Sequence, residues 1–218
     1  MIGGEVLSRF YNERILPRIT EFSCSDRSTG PWRDQVCAGV TGDVLEVGFG
    51  SGTNLAHYPP AVRRVLAVEP SDVAWRRASR KFAAFGRPVE RIGLDGADLD
   101  LPDDSVDTVV SSFTMCTIPD LESALAEMRR VLRPGGSLHF VEHGLSPDTD
   151  VAARQHRWTP RWGKIAGGCH LDRDIPALVE GAGFNLSDLE TLYMPGPAMS
   201  KPFGWISVGR AEPVTPGG

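Results

Sequence analysis

The sequence predicts an α/β fold: a doubly wound, mostly parallel seven-stranded sheet with an antiparallel edge strand and N-terminal helices. Three observations carry this. Short β-rich apolar runs alternate with helix-period segments from Asp43 onward. The runs are nearly apolar throughout, as strands covered on both faces are. Gly48, Gly50 and Gly52 leave the end of the first run at alternate positions and open into a brief helix.

Taken in order, residues 5–22 carry Val6, Leu7, Phe10, Tyr11, Ile15 and Ile19 at helical spacing, interrupted by Pro17, and predict one or two amphipathic helices. "SCSDRSTGPWRD" reads as a loop. "DVLEVGF" is the first strand, and the helix after its glycines is stopped by Pro59 and Pro60. "RVLAVEP" is the second strand. Ser71 caps a helix with Ala74, Ala78, Phe82 and Phe85 on one face, closed by Gly86 and Pro88. "VERIGLD" and "VDTVVSSF" are the third and fourth strands. Asp120 caps a helix whose buried stripe is Leu121, Leu125, Met128 and Leu132, and "LRPGG" ends it with turn chemistry. "SLHFVEH" is the fifth strand. "DRDIPALVEGAGF" is a helix closed by glycines, and "DLETLYMP" and "WISVGRA" form an antiparallel pair at the sheet edge.

A chain of 218 residues suits one substantial domain, and 41% hydrophobic with 23% charged residues is an ordinary globular balance. The net charge of −5 argues against broad phosphate-backbone binding, so no nucleic-acid partner is expected. Arg76, Arg77, Arg80 and Lys81 read as a solvated helix face. No apolar run approaches the ~20 residues that span a bilayer. "MIGGEVLSRF" lacks the features of a signal peptide, and a cytoplasmic location is expected. Cys24, Cys37, Cys116 and Cys169 are scattered without a CxxC pair, so neither a disulfide framework nor a metal site is expected.

A strand that ends in glycines lets a ligand touch backbone N–H groups. Glu69, at the end of the second strand, stands where a carboxylate accepts both hydroxyls of a ribose. Dinucleotide sites follow GxGxxG/A, but this chain has GxGxG, with Thr53 in the third position of that pattern. Glu46, two residues before Gly48, would repel a pyrophosphate and suits an ammonium. The ligand expected is therefore an adenosine compound with a cationic tail, which S-adenosylmethionine is. Thr53 and Glu46 disfavour a nicotinamide-dependent oxidoreductase.

"LEVGFGSGTNLAHYP", "AVEPSDVAWRRA", "LPDDSVDTVVSSFTMCTIPDLESALAEMRRVLRPGG" and "FVEHG" resemble, in order, the motif blocks of class I S-adenosylmethionine-dependent methyltransferases. "VEHG" and "QHRWTPRWGKIAGGCHLDRD", with its "GCHLDRD" run, resemble the methyltransferase-like thiol S-methyltransferase branch. The resemblance implies a Rossmann-like methyltransferase domain over residues 36–211; the amphipathic pattern ahead of it reads as an N-terminal helical lid or attachment over 1–35, and the polar, Pro/Gly-rich end as a flexible tail over 212–218. It also implies S-adenosyl-L-methionine as cofactor. Gly48, Gly50, Ser51 and Gly52 would wrap the methionine part, with Glu46 near its ammonium and Asn54 reaching the same end. Glu69 would hold the ribose, and Pro70 would pack by the adenine. Gly96 and Ala97 would border adenine by backbone and Asp98 by its carboxylate, an ordinary loop acid being the equal alternative for Asp98. Ser112 would face the sulfonium region and Phe113 line the pocket.

Methyl transfer from a sulfonium is an in-line displacement on an activated donor, so the protein mainly supplies proximity and an unprotonated nucleophile. A thiol, with free pKa about 8.5, needs only modest help. Glu142, His143 and His170 are the candidate helpers, each with a structural role as its rival. Cys169 reads as a small buried thiol. His156, Trp158 and Trp162, with Phe10 and Tyr11, would wall an apolar acceptor pocket unless these aromatics are simply core. The expected activity is methyl transfer to a small, hydrophobic acceptor, with a thiol sulfur favoured. Phospholipid (ethanolamine) N-methyltransferases and quinone-precursor methyltransferases share the same blocks. A non-catalytic S-adenosylmethionine-binding protein is the alternative of another class. Peripheral membrane contact by the N-terminal helix stays open.

Overall fold

The computed structural model describes residues 26–214. The first apolar run forms β1 (Gly42–Val47), buried at every position. β2 (Val62–Val68) lies parallel on one side of it and β4 (Val106–Ser112) on the other. β3 (Val89–Gly93) extends the sheet beyond β2, and β5 (Leu132–His143) extends it beyond β4. β7 (Trp205–Pro213) pairs antiparallel with β5, and β6 (Phe184–Tyr193) closes the edge antiparallel to β7. The order of the seven strands is β3-β2-β1-β4-β5-β7-β6. The expected antiparallel pair is present, with the strand that opposes the rest second from the edge. The chain moves outward from β1 to β3 and then crosses back to β4. That reversal opens a crevice at the carboxyl ends of β1 and β4, where ligands bind in open α/β sheets.

Alternate residues of the central strands feed two separate cores. Leu45, Val47, Leu66, Val68, Val109, Leu138 and Phe140 point to one face. There α4 (Leu121–Val131) lays down Leu121, Leu125 and Met128, and α6 (Ile175–Gly181) adds Ile175 and Val179. Asp120 starts α4 by accepting from Ser123 N at 3.1 Å. Met128 is fully buried, so Met128→Ala would cost about 2–5 kcal/mol. Val44, Val65, Ala67, Val110 and Val141 point to the other face, against Val36, Cys37, Phe49, Leu55 and Ala78.

Four expectations need correction. The supposed loop forms α1 (Asp26–Cys37) despite Pro31. Thr29, Arg33, Val36 and Val40 are buried at helical spacing, and docking against β5 and β7 outweighs weak local propensity. The helix expected from Ser71 to Phe85 is three pieces: α2 (Asp72–Ala78), a 3₁₀ turn (Ser79–Lys81) and α3 (Phe82–Phe85). Ser71 caps it by accepting from Ala74 N at 3.2 Å. Leu132 belongs to β5 rather than to the stripe of α4, because its backbone is already extended and pairs with Val106. The Trp-bearing segment, expected only as a covering stretch, contains most of α5 (Thr149–Ile165), capped by Asp148. Its buried face includes Gln155, whose amide is fully used: Ser146 N donates to Oε1 at 2.9 Å, and Nε2 donates to the carbonyls of Gly144 and Pro202.

Candidate active site

Glu46, Asn54, Tyr58, Ser112 and Arg33 form one buried polar network at the carboxyl ends of β1 and β4. Asn54 Nδ2 donates to Glu46 Oε1 at 2.9 Å and to Ser112 Oγ at 3.1 Å. Tyr58 OH donates to Glu46 Oε2 at 2.7 Å. Arg33 Nη1 donates to Asn54 Oδ1 at 2.5 Å, while its Nε donates to Thr29 Oγ1 at 2.9 Å. The guanidinium also lies 5.6 Å from the centre of the Phe113 ring. Burial pushes the Glu46 carboxyl up to about 7, although Tyr58, Arg33 and Asn54 all pull it down. A carboxylate held this dry gains when a cation joins it. Glu46 and Arg33, bridged by one amide, match the ammonium and carboxylate of an amino-acid arm.

The glycines divide the work. Gly48 has φ +76°, and a Cβ there would fall 2.0 Å from Thr114 Oγ1, so its bareness serves the fold. Gly50 has φ +57°, and its Cβ would meet nothing nearer than Gly48 O at 4.0 Å, which leaves open space for a ligand. Gly50 N donates to Glu69 Oε2 at 2.6 Å, and Ser71 N donates to Oε1 at 2.6 Å. Each oxygen keeps a second lone pair for a ribose hydroxyl. Burial raises the Glu69 carboxyl above its ordinary range, against those two N–H donors. Ser51 is half-buried, and Asn54 sits in the 3₁₀ turn Thr53–Ala56. Gly96 is buried against Val47, Ala97 N bonds Asp95 Oδ1 at 2.9 Å, and Pro70 and Asp98 are exposed. Phe113 takes a left-handed backbone, φ 55°, at the turn after β4.

The candidate helpers separate. Glu142 is fully buried and braces that same turn: its Oε1 accepts from Ser111 Oγ, Thr114 N and Met115 N at 2.8–3.0 Å. Its Oε2 has no partner, and burial raises the carboxyl. Arg173 adds a hydrogen bond to Met115 O. His143 Nε2 lies 3.2 Å from Cys169 Sγ. The Cys116 contact and burial push the Cys169 thiol well up, so it is protonated at neutral pH. His170 and His156 turn instead toward Asp172, at 3.9 Å and 3.0 Å. Trp158 and Trp162 pack on Phe203 with ring centres 5.6 Å and 4.6 Å apart. The indole N–H of Trp162 is buried without a partner. Phe10 and Tyr11 lie outside the described residues. A cavity of about 510 Å³ lies at the opposite end of the sheet, lined in part by Arg129, Arg130, Arg133 and Pro134.

Sequence reasoning missed Arg33, Tyr58 and the meeting of Cys116 with Cys169. Arg33 carried a signal in its helical spacing with Thr29, Val36 and Val40. Tyr58 carried none, because its partner Glu46 lies on another element.

This fold and site define a class of protein, and comparison with known proteins agrees on which. Residues 45–140 match the family model described as a methyltransferase domain. The thiol S-methyltransferase TMT1B of Rattus norvegicus is 33% identical over 76% of this chain and 66% of its own length. TMT1B of Homo sapiens is 34% identical over 79% of this chain and 72% of its own. A phosphatidylethanolamine N-methyltransferase of Cereibacter sphaeroides is 37% identical over 57% of this chain and 63% of its own. Among solved structures, a SAM-dependent methyltransferase of Thermotoga maritima superposes with a TM-score of 0.64 at 20% identity, covering 92% of this chain and 97% of its own. The chain belongs to the S-adenosylmethionine-dependent methyltransferases, and among them it is similar to the thiol S-methyltransferase branch. It is an enzyme of that class, with S-adenosyl-L-methionine as its methyl donor. No helix among the described residues is long and apolar enough to cross a membrane.

Proposed function

We propose that this chain methylates the thiol sulfur of a small apolar acceptor. S-Adenosylmethionine supplies a methyl group already activated on a sulfonium. Glu46 receives the ammonium of its amino-acid arm and Arg33 the carboxylate, while Asn54 and Tyr58 hold Glu46 in place. Gly50 leaves room for the arm beside Ser51, and Glu69 takes the ribose hydroxyls. Gly96, Ala97 and Asp98 border the adenine with Pro70. Ser112 and Phe113 face the reacting sulfur. His143 is the residue placed to relieve an acceptor of its proton, and Glu142 positions the turn that carries Phe113 to Cys116. Trp158 and Trp162, with Phe203, offer an apolar wall to the acceptor.

The observation that carries the thiol reading is the span of the similarity. It covers 172 residues of the rat thiol S-methyltransferase, well beyond the 45–140 stretch of the general domain, and so extends past the donor blocks. Chemistry supports it: the groups near the donor are weak bases, and a thiol is the acceptor that needs least help. Incubation with labelled donor and a panel of aliphatic thiols, ethanolamine lipids and quinol precursors, read by product mass, tests it. Methylated thioethers are expected. A panel in which only the lipid amine or the quinol gains a methyl group overturns the thiol reading and leaves the class intact.

A further inference from the structure

Three side chains far apart in sequence meet at the carboxyl rim of the sheet. Cys116 follows β4, His143 ends β5 and Cys169 lies in the turn after α5, with their ligating atoms all within 4.8 Å of one another. The two sulfurs are 3.8 Å apart. Two thiolates bound at about 2.3 Å to a tetrahedral zinc stand about 3.8 Å apart. His143 Nε2 is 3.2 Å from Cys169 Sγ, and a shared zinc would set that distance near 3.6 Å. An ion therefore enters with an opening of a few tenths of an ångström between His143 and Cys169 and a closing of up to about 1.2 Å between His143 and Cys116, whose ligating atoms lie within 4.8 Å. Backbone bonds hold the frame: His170 N donates to Cys116 O at 2.8 Å, and Cys169 N donates to Ala166 O at 3.2 Å. Both cysteines are buried, and His143 is half-buried. Among the described residues no fourth His, Cys, Asp or Glu joins the group. Three protein donors with one position free is the arrangement of a catalytic zinc rather than a structural one.

We infer that Cys116, His143 and Cys169 bind one zinc ion whose open position takes the acceptor sulfur as a thiolate. The second half rests on the thiol reading above. In this arrangement His143 acts as a ligand in place of the base role given to it above, and coordination itself sends the acceptor's thiol proton to solvent, because a zinc-bound thiol is deprotonated. The sulfur's electron pair then forms the bond to the methyl carbon, and the sulfonium C–S bond breaks with its pair retained on the departing S-adenosylhomocysteine. The thioether product is neutral, a poor ligand, and leaves.

The test uses the full chain, stripped with a chelator and reloaded with Zn²⁺, or with Co²⁺ as a spectroscopic probe. One metal per chain is expected, with thiolate-to-cobalt charge transfer and tetrahedral ligand-field bands. Cys116→Ser and Cys169→Ser should each weaken Zn²⁺ binding by about a hundredfold or more, a first ligand mattering at least as much as its supporting partners. Retained S-adenosylhomocysteine binding shows that these variants are folded, and the wild-type stoichiometry needs no variant. Thiol methylation should fall at least tenfold on metal removal and return with Zn²⁺. Failure of the chain to hold one equivalent, or cobalt spectra without thiolate bands, overturns the site. Undiminished thiol methylation by metal-free enzyme overturns the acceptor role and leaves the thiol reading standing. Zinc bound without any thiol product overturns that reading and the acceptor role while the site stands.

Discussion

Asp43 and Glu46 lie three residues apart on β1, yet the two ends of the sheet treat their carboxylates in opposite ways. At the amino end, Asp43 meets Arg63, Arg64 and Arg133, and Asp107 meets Arg63 and Arg133, at 2.8–3.7 Å. Burial nudges both acids upward, but their N–H and guanidinium partners outweigh it, so both lie below the ordinary range. At the carboxyl end, Glu46, Glu69 and Glu142 are buried and bonded directly by neutral donors, and they lie above it because burial outweighs those bonds and the pull of Arg33 on Glu46 and Arg91 on Glu69. The difference teaches where free energy is held in reserve. The amino-end acids are already paired and strengthen the fold; the carboxyl-end acids carry a desolvation cost that a bound cation or hydroxyl can repay.

The largest effect that sharpens this contrast is at Glu69. Glu69→Ala removes two charge-assisted acceptors and should weaken S-adenosylhomocysteine binding by about a hundredfold, read by calorimetry. Binding unchanged within threefold would break the assignment of this end to the donor.

The next effect is a pH dependence at Glu46. Its pKa is raised on folding, so ionising it costs stability: the cost is absent below about pH 4.5, grows as pH rises and is complete above about 7. Glu46→Gln should therefore gain about 3 kcal/mol relative to wild type between pH 4 and pH 8 in urea unfolding. Donor binding needs the ionised form, so affinity should fall about tenfold from pH 8 to pH 6 in wild type and stay flat in Glu46→Gln. A flat profile in the wild type would show that Glu46 does not meet the ammonium.

The smallest effect is at the other end. Asp107→Asn should cost about 1 kcal/mol or less at pH 7, because Arg63 and Arg133 are substantially exposed. The Asp107 pKa is depressed, so its contribution is present above the unfolded value and lost as pH falls through the folded one; the variant and wild type should converge in acid. Donor affinity should stay within twofold of wild type. A large loss there would mean that the two ends are coupled and the contrast fails.

Much of the donor half is legible in the linear order of residues. Strand, glycines, short helix and second-strand acid follow one another along the chain, because one strand-turn-helix unit builds most of the cradle. Glycine spacing could not say which glycine serves the fold and which leaves space, since Gly48 is answered by Thr114 on a distant loop. The acceptor half is less legible. α5 hides its buried face behind Gln155, whose amide is satisfied only by partners outside the helix, and Thr159, which donates to Gln155 O one turn back and accepts from Leu171 N. α1 hides its own behind Thr29 and Arg33.

Periodicity of apolar residues and the chemistry of a few turn residues are local properties, and they were enough to lay out the layered α/β architecture and the glycine-and-acid pattern of the candidate donor site, while the resemblance of the motif blocks pointed to the family. Which polar groups share a buried network was decided only when the strands aligned, since crossover connections bring together residues that no spacing rule links. Cys116, His143 and Cys169 are the clearest case: the chain separates them, and the parallel register of β4 and β5, with the turn after α5 laid across them, brings them together.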